Sequence, residues 1–458
     1  MAKIDAYPYL DRRNAAPLVM VLLLAVISVA GGSSRADFVG QAAVRLAAAL
    51  AIGAVLVLPA PEARRDLRVV MGLMIASTLV VVIQLVPLPP SLWAMLPGRE
   101  PFLALVQAAG QGDRWRPIAL YPDGAFNALG ALLVPWSILA CYRALDADRT
   151  AVVLSAALLL VIASAFVELQ QITSTGFLTD GGANEVESIS GLFANRNHQA
   201  LALAIGIVLA ARWGSAGSKE QNWRIWVALG LIALFILSIG ATGSRAGLAL
   251  GAVALVGGAA FGWRAAAAQT IGRVNRRAFI IALIAAIAAI VGLVAISIRN
   301  GRATTFFRLV DQQGMNDLRV RAFPAVKALV ADYFPVGTGQ GGFDYAFRSR
   351  EPLALLSPKY FNHAHNDLIQ PIIESGLAGL VLLTIAIGWI AWRSVIVWRD
   401  DRNLLGHCGV FILALAIGAS LVDYPVRTPM IMALAMIGAI WLSPVGRAPP
   451  TTTLPHSK

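Results

Sequence analysis

The sequence predicts an all-α, polytopic membrane protein with about twelve transmembrane helices and a helical cap on its outer face. Three observations carry that expectation. Of 458 residues, 58% are hydrophobic and 14% charged, with a mean hydropathy of +0.70, whereas soluble domains carry about 25% charged residues. Segments of roughly twenty apolar residues, the length that crosses a bilayer, recur from Leu18 almost to the C-terminus. The Lys and Arg residues fall mainly in alternate connections between these segments. The composition excludes an ordinary water-soluble enzyme. A net charge of +12 would suggest nucleic acid as a partner of a soluble protein, but here it first reports which loops are cytoplasmic.

In chain order, the spans fall near 17–32, 38–60, 69–89, 124–142, 151–171, 198–213, 225–241, 246–262, 278–298, 371–391, 405–422 and 429–446. The first follows Lys3, Arg12 and Arg13, as in a signal peptide, but the next segment begins within a handful of residues and the even count balances. It therefore reads as an uncleaved span. Twenty Lys and Arg lie in the loops and termini on one side, against seven in the short loops of the other, so the first side is cytoplasmic and holds both termini. Trp213, Trp223, Trp226, Trp263, Trp392 and Trp398 flank the same ends, where interfacial aromatic anchors belong. The predicted organisation is spans one to nine in 1–298, a large outer loop domain in 299–370, spans ten to twelve in 371–446, and a cytoplasmic tail in 447–458.

The 299–370 connection holds about 72 residues, too long for a structureless link, and should form the folded cap. Asp317 could N-cap a helix through Arg319, Phe323 and Leu329, with Pro324 in its first turns or at a kink. Gly337, Gly339, Gly341 and Gly342 lack the strand and downstream acid of a dinucleotide site and read as a turn. Cys141 and Cys408 lie at the ends of apolar segments and cannot build a cysteine metal site or a disulfide framework. Asp146-Ala147-Asp148 reads as a helix-capping turn, and Gly247-x-x-x-Gly251 and Gly258-x-x-x-Gly262 as close helix packing.

The candidate chemistry faces outward. His365 stands just before a span, beside His363, on a loop that also carries Arg319 and Arg321, and histidine is the side chain best poised for proton transfer near neutral pH. Asp367 or Glu374 could orient it, although Glu374 also reads as a first-turn carboxylate of the next helix. Arg245, in a very short connection, must lie at or just inside the outer interface. It could snorkel, pair with Asp423, or clamp phosphate bidentately, and Arg196 poses the same choice. Arg45 is an ionisable residue within span two.

These residues resemble the O-antigen ligase family of polytopic bacterial glycosyltransferases, which also includes polymerases of O-antigen and exopolysaccharide repeat units. His365-Asn366, nine residues, then Gly376-x-x-Gly379 fits the family pattern His-[Asn/Ser/Gln]-x9-Gly-x-x-[Gly/Thr/Tyr] in full, at the end of a long outer loop. Arg245 matches the family's interface arginine and Arg319 its loop arginine, with Phe323 where a Trp is common. The resemblance is closest over 191–380 and implies an inner-membrane enzyme with a periplasmic site. It implies glycan transfer from undecaprenyl diphosphate to an acceptor hydroxyl, either on lipid A core or on a second lipid-linked glycan, with no cofactor, metal or nucleic acid. On this reading His365 is the general base and Arg245 with Arg319 binds the diphosphate. Arg321, Arg196, His363 and Asn366 are candidates for positioning substrate. A twelve-span secondary transporter is the alternative of another class, disfavoured because spans three, nine and eleven have no ionisable residue in their middles and no internal repeat is visible.

Overall fold

The computed structural model describes residues 12–58, 65–146, 149–174, 189–216, 223–267, 318–356 and 361–445. The described chain is mostly helical. Eleven of the twelve predicted segments coincide with helices: α1 (Arg12–Ala30), α2 (Val39–Leu56), α3 (Arg68–Gln84), α6 (Pro122–Ala144), α7 (Ala151–Ser174), α8 (Arg196–Gly214), α9 (Trp223–Thr242), α10 (Arg245–Ala267), α13 (Gln370–Trp398), α14 (Leu404–Ser420) and α15 (Pro429–Leu442). The ninth segment, 278–298, lies outside the described residues together with 299–317 and Asp317. Five of the helices, α2, α6, α7, α9 and α13, are long and apolar enough to cross a membrane, and α1, α3, α10, α14 and α15 include shorter apolar stretches.

Helix α8 lies at the centre of the bundle. Leu201 to Ala210 are all buried, so this helix is apolar around its whole circumference, as a helix wrapped by others must be. Its neighbours are α7, α9, α10 and α14. Gly247 packs against Ala200, and a Cβ at Gly258 would stand 3.5 Å from that of Ala211, so the small residues of α10 let it approach α8 closely.

The connection between α3 and α6, one of the short loops expected on that side, is folded. Strand β1 (Pro87–Leu88) pairs antiparallel with β2 (Arg116–Pro117), and between them lie α4 (Pro90–Ala94) and α5 (Glu100–Ala108). Arg99 is fully buried. It donates to the carbonyls of Ile118 at 2.6 Å, Gly337 at 3.2 Å and Pro97 at 3.3 Å, and lies against the rings of Trp93 and Tyr333. It thereby pins this hairpin to the cap, and burial lowers its pKa to about 10.

The described part of the segment predicted as the cap contains α11 (Leu318–Tyr333), α12 (Phe343–Arg348) and a 3-10 turn at Leu353–Leu355 around a core that includes Ala322, Val326, Leu329, Phe343, Phe347 and Phe361. Pro324 sits in the second turn of α11, where it removes one helical hydrogen bond. The glycine-rich stretch is a turn that docks into a break in α13. Gly376 has φ 54° and ψ −132°, and the Leu377, Thr338 and Gly339 amides donate to Pro335, Ile373 and Glu374 carbonyls at 2.8–2.9 Å. A Cβ at Gly376 would collide with the Pro335 carbonyl, and one at Gly337 would stand 2.6 Å from that of Glu374. Glycine is required on both sides of this contact.

Candidate active site at one end of the bundle

The connections before α8, before α10, before α13 and after α14 meet at one end of the bundle. Their centre is Asp423, three residues past α14 and 1% exposed. Its Oδ2 accepts from Asn197 Nδ2 at 2.6 Å and Asn195 Nδ2 at 3.1 Å, and faces Arg319 Nη2 at 3.5 Å. Its Oδ1 accepts from the Tyr424 amide at 3.0 Å and faces His365 Nδ1 at 3.2 Å, with His198 Nε2 at 3.9 Å. Burial alone would raise this carboxyl's pKa. The His365 bond, the charges of His198 and Arg319, and the Asn197 bond outweigh it and hold Asp423 below the ordinary carboxylate range.

A carboxylate can only accept, so His365 Nδ1 carries a proton toward Asp423, and Nε2 is the ring nitrogen left to face away from it. The ring lies against Phe361 at 5.0 Å and Tyr424 at 4.8 Å, with its side chain 18% exposed. Its backbone stands at φ 49°, a left-handed conformation unusual for a residue other than glycine and found most often where local geometry is functionally constrained. Burial lifts the Tyr424 hydroxyl to about 12, so it stays protonated.

The orienting carboxylate is therefore Asp423, which corrects the expectation that Asp367 or Glu374 would serve. Those two acids form a second, closed cluster around Arg427, whose Nε meets Asp367 Oδ1 at 3.1 Å and whose Nη2 meets Glu374 Oε2 at 3.2 Å. Glu374 is fully buried, because the break at Gly376 turns it inward rather than leaving it on an open first turn. Gln370 Nε2 donates to Glu374 Oε1 at 2.8 Å and to His363 Nδ1 at 3.2 Å. Burial first, and then Arg427, push the His363 pKa well below its ordinary value, which leaves that ring neutral and able to accept. Burial lifts Asp367 to about 6 against the opposing pull of Arg427.

The other predicted residues take distinct places. Arg319 also donates to the Val422 carbonyl at 2.8 Å. Arg245 is exposed as the first residue of α10 and makes no ion pair among the described residues, so Asp423 is not its partner. It is nevertheless tied to the cluster: the preceding Ser244 Oγ accepts from the Gly247 amide at 2.9 Å and donates at 2.8 Å to Asn197 Oδ1, whose own amide reaches Asp423. Arg196 opens α8 between Asn195 and Asn197. Arg321 is exposed and donates to the Ala354 carbonyl of the cap. Asn366 is engaged by the backbone, accepting from the Leu368 and Ile369 amides at 2.9 and 3.0 Å and donating to Leu421 O at 2.9 Å. That arrangement braces the His365 turn against the end of α14. Asp423, Tyr424, Asn195 and Asn197 join this cluster without being site candidates from the sequence, although Asn195-Arg196-Asn197 is visible there as a polar run at the head of an apolar segment.

The apolar helices and this acid, imidazole and guanidinium cluster describe a helical membrane protein with a polar cluster at one bundle end. Residues 229–384 match the family model described as O-antigen ligase, so this stretch of the chain is similar to that family. The match contains Arg245, Arg319 and His365, while Asn195, Asn197 and Asp423 lie outside it. A comparison with curated proteins finds no match. The match supports a membrane glycosyltransferase of ligase or polymerase type acting on lipid-linked glycans over the transporter alternative.

Proposed function

We propose that the protein transfers a glycan from undecaprenyl diphosphate to an acceptor hydroxyl at the periplasmic face of the bacterial inner membrane, with lipid A core as the acceptor. The observation that carries this reading is the His365–Asp423 pair, 3.2 Å apart, with Arg319 on the same carboxylate. In this mechanism His365 Nε2 takes the proton of the acceptor hydroxyl as its oxygen attacks the anomeric carbon, a role that typically contributes about 10² to 10⁴ in rate. Asp423 fixes the tautomer and stabilises the imidazolium that forms. The leaving diphosphate is already a stable anion and needs charge stabilisation rather than a proton, which the guanidinium groups of Arg319 and Arg245 supply. The reaction assigned here uses no metal or nucleotide sugar.

The topology belongs to the same proposal: twelve spans, both termini cytoplasmic, spans one to nine in 1–298, a periplasmic cap in 299–370, spans ten to twelve in 371–446 and a cytoplasmic tail in 447–458. Its support is that connections of one predicted side gather at one end. Ala194 N donates to Gly32 O at 3.0 Å beside the Asp423 cluster, whereas Arg65 donates to Trp441 and Ser443 carbonyls, and Arg393 to Leu442, at the opposite end.

His365→Ala should abolish glycan transfer in membranes in which the protein still inserts, and retained transfer would remove His365 from the mechanism. Deleting the protein distinguishes the two acceptors. Full-length polymer left on the polyprenyl carrier identifies the ligase, and loss of polymer length identifies a repeat-unit polymerase with the same chemistry.

A further inference from the structure

Helix α2 carries one ionisable residue, Arg45, and the cluster described above does not use it. Its guanidinium turns onto α6, donating to Asn127 Oδ1 and lying over Gly130, where a Cβ would stand 3.1 Å from Nη1 and 3.2 Å from Cζ. The missing side chain at Gly130 is the space that Arg45 occupies. Its Nε is buried without a hydrogen-bond partner, and no carboxylate among the described residues faces it. An arginine in an apolar span is costly unless an anion or a polar pathway compensates it, and Asn127 supplies only a neutral dipole.

The position of this seam indicates the kind of anion. Arg45 lies six residues into α2, about 9 Å along its axis, and helical side chains lean toward the N-terminus, so the guanidinium sits near the start of the helix. That start is at the same end as the Asp423 cluster, because the α1–α2 turn bonds the chain leading into α8 through Gly32 and Ala194. Around the seam, Phe38, Leu46 and Phe126 are 49%, 62% and 61% exposed, so its rim is apolar and faces where a bilayer would lie. A cation at the head-group end of a lipid-facing, apolar-rimmed seam matches the phosphate of a lipid, with acyl or prenyl chains along α2 and α6.

We propose that Arg45 and Asn127 hold a lipid phosphate at the α2–α6 seam, the guanidinium fork on the phosphate oxygens and the Asn127 amide N–H as a further donor. The chemistry is common to a bilayer phospholipid and a polyprenyl phosphate carrier, and neither source depends on the glycan-transfer reading.

The test is native mass spectrometry of the full chain released from detergent with defined lipids. The wild type should retain phosphatidylglycerol and should not retain diacylglycerol, which has the same tails without phosphate. Arg45→Gln should lower phosphatidylglycerol occupancy about tenfold, equivalent to about 1.4 kcal/mol, while Arg45→Lys keeps most of it. Asn127→Asp sets a carboxylate against Arg45 and should expel the lipid even if Arg45→Gln folds poorly. Equal retention of diacylglycerol, or unchanged phosphatidylglycerol occupancy in Arg45→Gln or Asn127→Asp, overturns the proposal. Undecaprenyl phosphate that displaces phosphatidylglycerol in an Arg45-dependent way identifies the carrier as occupant. Arg45-dependent phosphatidylglycerol that it cannot displace identifies the bilayer lipid.

Discussion

Two ionic clusters lie within a few residues of each other in sequence and are built differently. Around Asp423, one carboxylate is shared among two asparagine amides, a backbone amide, a histidine and an arginine, and His365 and Arg319 keep 18% and 33% of their side chains exposed. Around Arg427, one arginine joins two carboxylates, with Glu374 fully buried and Gln370 tying the group to His363. The first keeps a base and a cation accessible beside a fixed charge. The second closes on itself and holds the start of α13 against the turn after α14. The difference teaches that what stays exposed differs more than the number of charges: a histidine and an arginine around Asp423, against acids 10% and 0% exposed around Arg427.

The comparison breaks most sharply at Asp423. If this carboxylate positions His365, Asp423→Asn should lower glycan transfer by about 10² to 10⁴, as His365→Ala does, and the double variant should be no worse than either single one, since groups acting as a unit are not additive. The asparagine can present an acceptor or a donor to Nδ1, so Asp423→Asn should also change the pH profile of transfer, which a purely structural loss would not. Transfer at near wild-type rate with an unchanged profile would place Asp423 outside the mechanism.

Arg427 should give the opposite result. Arg427→Met leaves Asp367 and Glu374 buried with no cation, a change that typically costs about 3–5 kcal/mol. The expected outcome is a large fall in thermal stability and folded yield, with transfer per folded molecule much less affected than in Asp423→Asn. Unaltered melting would show that the clamp is not structural.

Acid titration sharpens the contrast because the two aspartates shift in opposite directions. Asp423 is held below its ordinary value, so the stability it contributes is complete above about pH 4 and is lost as pH falls toward its folded value. Asp367 is raised from 3.8 to about 6, so the folded state favours its protonated form. Its contribution is present below about pH 4 and is lost as pH rises through 6, amounting to at most about 3 kcal/mol. Melting temperature measured from about pH 2 to 7 should therefore lose its component between about 4 and 6 in Asp367→Asn and keep its decline below about pH 4. A component between 4 and 6 that survives in Asp367→Asn belongs to another group.

Much of the helix bundle was legible in the sequence because apolar runs near bilayer length have few ways to be satisfied other than as helices. The order Arg245, Arg319, His365 was legible because the His-Asn-x9-Gly-x-x-Gly spacing is unusual, and the structure gives Gly376 a reason in the Pro335 contact. Asp423 was not. It approaches His365 across 58 residues and two whole helices, and periodicity carries no information about such a meeting. Glu374 misled for a related reason: the helix-dipole argument assumes an open first turn, and the break at Gly376 buries it. The 85–121 hairpin is not legible because Pro87, Pro89, Pro90, Pro97 and Gly98 mark only turns, and nothing in the local pattern shows that Arg99 is buried and bonds to Gly337.

The smallest expected effect tests where the first cluster ends. Arg321 lies two residues from Arg319 on α11 and was an equal candidate by proximity to the motif, yet its guanidinium turns to the Ala354 carbonyl on the cap surface. Residues two apart on a helix point about 200° apart, so α11 can direct only one of the two at Asp423. Arg321→Ala should change stability by about 0.5 kcal/mol or less, as an exposed substitution does, and leave transfer within about twofold. Arg319→Ala should instead lower transfer at least tenfold, through loss of charge on both the leaving group and Asp423. Equal losses in the two variants would mean that the cap, rather than the Asp423 cluster alone, shapes the substrate site.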